Sequence, residues 1–198
     1  MNQDTVLVER ARQGEKAAFR ELVERYKKRI YYLSRDLTGN HHDAEDLSQE
    51  VFIKAYRSLK DFRGDAQFSS WLYRIAVNTS ISQRRKKSYA AMTLHDFIEE
   101  DRGDNQDQEH LSTGQNPERS AEAGLMQAHI DAALQRLAPR ERSIFVLRHY
   151  HDLPLKEIAE TLSITVGSVK SLHFRAIKRL RKELSFYREE FGLEDANE

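Results

Sequence analysis

Apolar residues recur three and four positions apart through most of the first 80 residues, which is the period of an amphipathic helix. One stripe covers residues 19–37 and ends at Gly39-Asn40, a pair typical of helix C-termini. A second stripe covers residues 47–59 behind Asp43, which we predict as its N-cap. A third covers residues 72–79 behind a pair of serines that can cap it. This pattern predicts a compact helical domain.

The same period returns after residue 124. One stripe covers residues 125–137, and Pro139 follows where it can occupy the first turn of the next helix. A short helix over 155–162, a turn over 163–165 and a long helix from 166 to about 190 complete the pattern. The second half therefore predicts another small helical domain.

The last two helices have the layout of a helix-turn-helix. Ala159 is small where the helices would cross, Ile164 can fill the space between them, and Gly167 would allow close packing. The predicted framework is Leu155, Ile158, Ala159, Ile164, Gly167 and Val169. The outer face of the second helix carries Lys170, Ser171, Phe174, Arg175 and Lys178. Arginine can pair with guanine and phenylalanine can contact the thymine methyl, although an ordinary hairpin with a solvated basic face has the same spacing.

The first domain combines aromatic and basic residues. Residues 52–73 contain six aromatic side chains, and a basic run follows at 84–87. Rings interleaved with cations are typical of proteins that hold single-stranded nucleic acid. A core role is the alternative, which we favour for Phe52 and Trp71. Phe62 lies in a polar loop, so its burial is less expected. The basic run is also explained as the positive C-terminal end of a helix.

Charge is segregated along the chain, although 32 basic and 32 acidic residues cancel over its 198 positions. Residues 1–88 carry 18 basic and 12 acidic side chains, and residues 125–188 carry 12 and 6, so each block has a net charge of +6. Residues 89–124 carry 2 and 9, a net charge of −7, and residues 189–198 carry five acids. The two basic blocks favour binding to nucleic acid, while the acidic stretch is typical of a linker.

Several other classes of protein are excluded. The chain has no cysteine, which rules out disulfides, thiol catalysis and cysteine-bound zinc and permits a reducing cytoplasm. It has no apolar run long enough for a membrane span and no signal-peptide pattern. His41 and His42 are adjacent and cannot share a helix face, so we expect no metal site. No phosphate-binding loop or nucleophile motif occurs, so we expect neither a cofactor nor an enzyme.

Four segments in order carry a resemblance to a known family. They are residues 43–56 (DAEDLSQEVFIKAY), 62–79 (FRGDAQFSSWLYRIAVNT), 137–142 (LAPRER) and 155–171, where LKEIAETL precedes VGSVKS. Together they resemble the extracytoplasmic-function (group 4) sigma factors of bacterial RNA polymerase, of the sigma-E type. The resemblance covers nearly the whole chain.

The resemblance implies an all-α fold of two small helical domains joined by a flexible acidic linker. Region 2, a helical bundle, would cover residues 1–88, and the linker would cover 89–124. Region 4, the helix-turn-helix, would cover 125–190, with an acidic tail at 191–198. The implied function is to bind core RNA polymerase, direct it to a subset of promoters and promote their melting, in a stress response.

The resemblance also implies functional residues and partners. Contacts with the β′ clamp helices of the polymerase would come from Asp43, Glu45, Asp46, Gln49 and Glu50. Single-stranded −10 DNA would be read by Phe62, Arg63, Trp71, Arg74, Asn78 and Arg85. Duplex −35 DNA would be read by the outer residues of the last helix. The polymerase β flap and an anti-sigma factor are further expected partners, and the expected location is the cytoplasm.

One alternative and one departure stay open. A stand-alone helix-turn-helix regulator would share the second domain, although nothing here resembles a dimerisation coiled coil. Leu172 stands where many family members have arginine, so a phosphate contact is expected to be missing there. His173 could replace it.

Overall fold

The computed structural model describes residues 3–95 and 117–187 of the chain. The predicted acidic tail and most of the predicted linker lie outside the described residues. Within them, eight α-helices and one short 3-10 turn account for the regular structure, and no strand is present. The predicted all-α class is confirmed. None of the described helices is both long and apolar enough to cross a membrane.

The first bundle contains four helices. They are α1 (Gln3–Arg12), α2 (Lys16–Thr38), α3 (His41–Ser58) and α4 (Phe68–His95), with the 3-10 turn Leu59–Asp61 after α3. Helix α2 packs against the other three. Its apolar stripe is fully buried at Leu22, Ile30 and Leu33, as the sequence period predicts. Burial of this stripe, rather than helix propensity, stabilises the bundle.

The junction between α2 and α3 is set by two adjacent residues. Gly39 ends α2 in the left-handed region at φ 86°, as predicted, where a side chain would be strained. Asn40 is the N-cap of α3, and its side-chain oxygen accepts a hydrogen bond from the Asp43 backbone N–H at 2.8 Å. The prediction that Asp43 caps α3 is therefore wrong, because the helix begins two residues earlier and Asp43 lies within its first turn.

Helix α4 extends beyond its prediction at both ends. It begins at Phe68, ahead of both serines, because the Phe68 ring is buried against Tyr26 and Trp71 and fixes the first turn. The basic run 84–87 does not end α4, which continues to His95. The following residues 88–95 contain neither glycine nor proline, so nothing in them stops the helix.

The second bundle also contains four helices. They are α5 (Pro117–Arg136), α6 (Pro139–His149), α7 (Leu155–Leu162) and α8 (Val166–Glu183). Pro139 occupies the first turn of α6, as predicted. Ala133, Leu134 and Leu137 bury the end of the α5 stripe against Ala176 and Leu180 of α8. At its other end, Leu125 and Met126 are exposed, so the predicted stripe is shorter than expected.

Helix α8 ends at Glu183 rather than near residue 190. The chain then turns back towards α5. The Tyr187 hydroxyl lies 2.7 Å from Nδ1 of His129, and the Phe186 ring meets the same imidazole edge-to-face. These tertiary contacts end the helix where the local sequence period would have continued it.

One hydrophobic core joins the two bundles. Helices α2 and α4 of the first bundle pack against α6 and α7 of the second. Leu22 and Leu72 therefore belong to the same buried cluster as Ile144, Leu147 and Ile158. The two bundles form one continuous core in this state.

A buried arginine crosses the boundary between the bundles. The Arg142 guanidinium on α6 donates to the backbone oxygens of Leu37 at 2.6 Å, Leu134 at 2.8 Å and Gln135 at 2.6 Å. It also donates to Gln135 Oε1 at 2.5 Å. Burial, with the Arg84 guanidinium nearby, lowers the pKa of Arg142 to about 9, so the group stays a cation at neutral pH. Arg142 thus joins the ends of α2 and α5.

Two further polar contacts cross the same boundary. His151 Nε2 lies 3.1 Å from Asp36 Oδ2, and the His151 ring also meets the Tyr73 ring edge-to-face. The Arg84 guanidinium donates to the backbone oxygen of Gln135. The first bundle therefore contacts the second along both α2 and α4.

Candidate nucleic-acid interface

Helix α8 has an apolar inner face and a polar outer face. Thr165 caps it by accepting a hydrogen bond from the Ser168 backbone N–H at 3.1 Å. Val169, Ala176 and Leu180 are buried against the bundle. The five predicted −35 residues are all exposed on the other side: Lys170, Ser171, Phe174, Arg175 and Lys178. Phe174 is 68% exposed, so its ring packs in no core and is free for a ligand.

The framework of the predicted helix-turn-helix is nearly as expected. Ile158, Ala159 and Val169 are buried, while Leu155 and Ile164 are half-buried and pack on the same core. Gly167 is the exception. It is exposed, and a Cβ there would meet only Thr165 Oγ1, at 3.8 Å. The predicted close packing at Gly167 is wrong, because the first turn of α8 lies at the open mouth of a cleft.

A buried acid positions two arginines of α8. Glu141 on α6 has a side chain only 4% exposed. Its carboxylate lies 3.6 Å from Arg175 Nε and 3.2 Å from Arg179 Nη1. The pairs hold both guanidinium groups towards the outer face of α8, because Glu141 approaches from the protein side. Both arginine side chains remain more than half exposed and accessible to a phosphate or a base.

The two positions that depart from the family pattern have structural roles. Leu172 is half-buried and packs against the core. His173 faces His149 on α6, with Nε2 atoms 2.9 Å apart, ring centroids 5.1 Å apart and ring planes 15° apart. These values describe two nearly coplanar rings joined head-to-head by one N–H···N hydrogen bond. In this state the pair engages Nε2 of His173.

Phe62 and Trp71 lie in an aromatic cluster of the first bundle. The Phe62 ring lies 4.9 Å from the Trp71 ring and 6.0 Å from the Phe68 ring, measured between centroids. Phe62 and Trp71 are each 8% exposed. The core role favoured for Trp71 agrees with this burial. The low expectation of burial for Phe62 is wrong, because the loop folds its ring onto the start of α4.

One cleft brings four of the predicted −10 residues against the second bundle. Phe62, Arg63, Trp71 and Arg74 line one wall of a cleft of about 930 Å³. Residues of α7 and its N-cap line the other wall: Pro154, Lys156, Glu157, Glu160 and Thr161. Arg74 Nη1 closes one side by donating to Ser163 Oγ at 3.0 Å.

A second cleft, of about 710 Å³, holds the predicted −10 residue Asn78. Asn78 and Ile81 of α4 line one wall, and Ser171 and Arg175 of α8 line the other. Residues from both predicted DNA-reading surfaces therefore line a single cleft. Arg85, the sixth predicted −10 residue, is exposed and lines neither described cleft.

The predicted polymerase contacts share one stretch of α3. Glu45, Asp46 and Gln49 are exposed, while Asp43 and Glu50 are half-buried. Burial raises the pKa of Asp43, but hydrogen bonds from Asn40 and Lys87 outweigh it and leave the pKa lowered. A hydrogen bond from Lys54, assisted by one from Gln83, lowers the pKa of Glu50. Both side chains are carboxylates at neutral pH.

Comparisons with known proteins agree with this geometry. The sigma-70 region 2 family matches residues 22–89, and the sigma-70 region 4 family matches residues 133–182. The RNA polymerase sigma-H factor of Pseudomonas aeruginosa is 36% identical over 188 residues, which covers 92% of this chain and 94% of that protein. The ECF RNA polymerase sigma factor SigW of Bacillus subtilis is 34% identical over 177 residues, covering 89% and 94%.

The chain belongs to the extracytoplasmic-function sigma factors. It is a promoter-directing factor of transcription initiation. RNA polymerase and promoter DNA are its partners.

Two solved structures share the fold of this sigma factor. CnrH, solved with the cytosolic domain of CnrY, has a TM-score of 0.61 and 24% identity, covering 92% of this chain and 97% of its own. The sigma factor RpoE of Bartonella quintana, solved with the anti-sigma factor NepR, has a TM-score of 0.60 and 22% identity, covering 84% and 96%. Both likenesses extend over regions 2 and 4.

Sequence reasoning missed the residues that join regions 2 and 4 of this sigma factor. Arg142 lies inside the LAPRER segment that carried part of the resemblance. Nothing in the sequence marks it as buried, because it is one of several charged residues in that helix. Asp36 lies near the end of α2 and His151 lies just after the end of α6, and as polar residues both look like surface residues. Gly39 also lies against region 4, where a Cβ would overlap the Gln135 side chain.

Proposed function

We propose that this sigma factor reads the −35 element as duplex through α8 and the −10 element as a melted strand through region 2, while bound to core RNA polymerase. The exposed outer face of α8 carries this proposal, because it presents an aromatic ring and basic groups on a helix whose opposite side is anchored in the core. Family membership supports the pairing of this face with a −10 surface on the other domain.

Residues of α8 would divide their roles by chemistry. Arg175 would pair with guanine in the major groove, held in place by Glu141, and Phe174 would contact a thymine methyl. Ser171 can donate to or accept from a base edge. Lys170 and Lys178 would contact phosphates and contribute affinity without sequence discrimination.

Region 2 would capture a base flipped out of the melted −10 strand. Asn78 is exposed and can read a base edge through its amide, and Arg63, Arg74 and Arg85 can neutralise the strand's phosphates. Flipping a base costs a few kcal/mol, which stacking against a ring can offset. Because Phe62 is buried against Trp71, its loop would have to move to admit a base.

Contacts with polymerase would come from α3. Its acidic residues from Asp43 to Glu50 form a surface for the β′ clamp helices, and region 4 would contact the β flap. The acidic stretch 89–124, with its net charge of −7, would follow a basic channel of the polymerase. We expect the factor to act in the cytoplasm, where polymerase is, and in a stress response. Relatives of this fold solved with anti-sigma partners support regulation by such a factor.

Run-off transcription with core polymerase tests the proposal. Genomic fragments serve as templates, so that no promoter sequence need be known in advance. We expect discrete transcripts that require both the sigma factor and core polymerase. Folded sigma factor that binds core polymerase and yields no discrete transcript would contradict the proposed function.

Variants then separate the two DNA-reading roles. Arg175→Ala should weaken the preferred −35 sequence by about 1–3 kcal/mol relative to altered sequences, whereas Lys178→Ala should weaken all sequences alike. Asn78→Ala should reduce permanganate reactivity at −10 more than it reduces closed-complex binding. Equal losses on every −35 sequence for Arg175→Ala would assign it a phosphate role.

A further inference from the structure

One buried carboxylate contacts two arginines of the DNA-reading helix. Arg175 and Arg179 lie four residues apart on α8, so their side chains leave the same face of the helix. Glu141 of α6 reaches both, with Oε1 3.6 Å from Arg175 Nε and Oε2 3.2 Å from Arg179 Nη1. Its side chain is only 4% exposed, whereas both arginine side chains are more than half exposed. The cluster therefore consists of a buried anion and two outer cations.

Both contacts of Glu141 are ionic rather than directed hydrogen bonds. The separation of 3.6 Å from Arg175 is too long for a hydrogen bond. Arg179 Nη1 is near enough, but its N–H groups are not aligned with Oε2, which accepts no hydrogen bond from the described residues. A buried carboxylate held in this way depends on the charge of its neighbours. Loss of one arginine would therefore leave Glu141 dependent on the other.

The two arginines present different parts of their guanidinium groups to Glu141. Arg175 approaches with Nε, so its terminal Nη1 and Nη2 atoms are left for the O6 and N7 acceptors of a guanine. Arg179 approaches with Nη1, so the tip of its own guanidinium is engaged by the carboxylate. This asymmetry favours base reading by Arg175 and neutralisation of Glu141 by Arg179.

We propose that Arg179 is a positioning residue for −35 recognition: it neutralises Glu141 and so keeps this buried carboxylate from drawing Arg175 away from the DNA. The proposal rests on the proposed function of Arg175 as the reader of a guanine. Without Arg179, the Arg175 Nε would close from 3.6 Å to the roughly 2.8 Å of a charge-assisted hydrogen bond, a withdrawal of about 0.8 Å. That exceeds the roughly 0.5 Å within which a binding group keeps its productive geometry.

Equilibrium binding of the holoenzyme to promoter DNA tests this role. The promoter comes from the run-off assay, and each −35 base pair is replaced in turn. Base discrimination is the ratio of the affinities for the original and the replaced DNA. Arg175→Ala should lose about 5- to 150-fold of discrimination at one guanine. Arg179→Ala should lose at least about 5-fold at the same base pair, although it contacts no base itself.

The salt dependence of binding separates positioning from a phosphate contact. Lys178→Ala, which removes a proposed phosphate contact, should weaken binding to all sequences and reduce the slope of log affinity against log salt by about 1. Arg179→Ala should leave that slope unchanged, and Arg179→Lys should restore discrimination because the ionic contact needs only the charge. A reduced slope with equal weakening of all sequences would make Arg179 a phosphate contact and overturn the proposal.

A double substitution shows whether Arg179 acts through the carboxylate. Glu141→Gln removes the charge with little change of shape, and circular dichroism checks that each variant is folded. The single substitution should lower base discrimination because Arg175 loses its anchor. Adding Arg179→Ala should then cause no further loss. Losses that add would mean that Arg179 acts independently of Glu141 and would overturn the proposal.

Nuclear magnetic resonance of the free protein separates this proposal from the proposed function. Isotope-labelled arginine gives the Nε–H signal of Arg175, which is assigned by its absence from Arg175→Lys. We expect Arg179→Ala to shift this signal, because Nε gains a hydrogen bond with Glu141. Arg181→Ala, which removes another exposed arginine of α8, should leave it in place.

The outcomes for the two proposals differ. An Arg175 signal that is unchanged in Arg179→Ala would overturn the positioning role and leave the proposed function intact. Absence of transcripts from the folded, unmodified sigma factor would contradict the proposed function, while the Arg175 signal would still decide whether Arg179 positions Arg175.

Discussion

Replacing Arg142 by alanine should cost a large part of the stability of this sigma factor. Its guanidinium makes four hydrogen bonds and is only 2% exposed. A hydrogen bond with a charged partner contributes about 1.5–3 kcal/mol, but relaxation and water reduce the sum, and single substitutions rarely exceed about 4–5 kcal/mol. We therefore expect Arg142→Ala to lower the free energy of unfolding by about 3–5 kcal/mol.

Urea unfolding followed by circular dichroism at neutral pH measures this loss. The control is Arg140→Ala, two residues away on α6 and exposed, which should change stability by no more than about 0.5 kcal/mol. Gln135→Ala removes only one of the four acceptors and should cost about 1 kcal/mol. Arg142→Lys keeps the charge but loses the planar fork that reaches divergent carbonyls, so it should recover less than half of the loss.

We also expect a particular shape for the urea unfolding transition. Because one core joins both domains, the unmodified protein should unfold in a single transition. Arg142→Ala should keep a single transition and move it to a lower urea concentration, because the shared apolar core remains. If Arg142→Ala unfolds within about 0.5 kcal/mol of Arg140→Ala, the guanidinium contributes nothing to stability and the reasoning is refuted.

Three other predictions follow from local contacts. Asn40→Ala should lower stability by about 1 kcal/mol through loss of the α3 cap, and Asn40→Ser should restore most of it in the same urea titration. Trp71→Ala should lose about 3–5 kcal/mol, seen as a lower thermal midpoint, because the ring fills a buried aromatic cluster. Burial lowers the pKa of His149 and His173, so the unfolded state binds more protons. The free energy of unfolding should then decline as pH falls below about 6.5, and His173→Gln should weaken that decline; an unchanged decline would exclude the pair as its source.

The helices were predictable because their signal is periodic and local. The stripe of α2 and its end at Gly39 follow from side-chain spacing and from the conformational freedom of glycine. The predicted helix boundaries were wrong where tertiary contacts determine them. Phe68 starts α4 early because its ring joins a cluster, and Tyr187 contacts α5 where the period of α8 would have continued. Neither contact has a signal within one helix.

The surface of α8 was predictable for the same reason, since inward and outward positions alternate with the helical period. The contact between domains was not. Its acceptors are backbone oxygens, such as that of Leu37, which every residue possesses and which no sequence pattern marks. Arg142 therefore looked like any basic residue of a charged helix. The polar positions of the −10 surface could be named, but not the fact that region 4 lies against them.

The ends of two helices explain why Arg142 has no acidic partner among its described contacts. In the described contacts, its hydrogen bonds go to no carboxylate. Leu37 lies in the last turn of α2, and Leu134 and Gln135 lie in the last turn of α5. Each helix C-terminus carries roughly half a negative charge, so two of them together offset one cation.

This arrangement also makes the Arg142 contact between the bundles reversible. When the domains separate, Arg142 keeps the oxygens of Leu134 and Gln135, which belong to its own domain. Only the Leu37 oxygen is released, at a helix end where water readily replaces the donor. An ion pair split between domains would instead leave a buried charge without its partner, at a cost of several kcal/mol. The Arg142 contact between the two bundles can therefore break without leaving a buried charge unpaired.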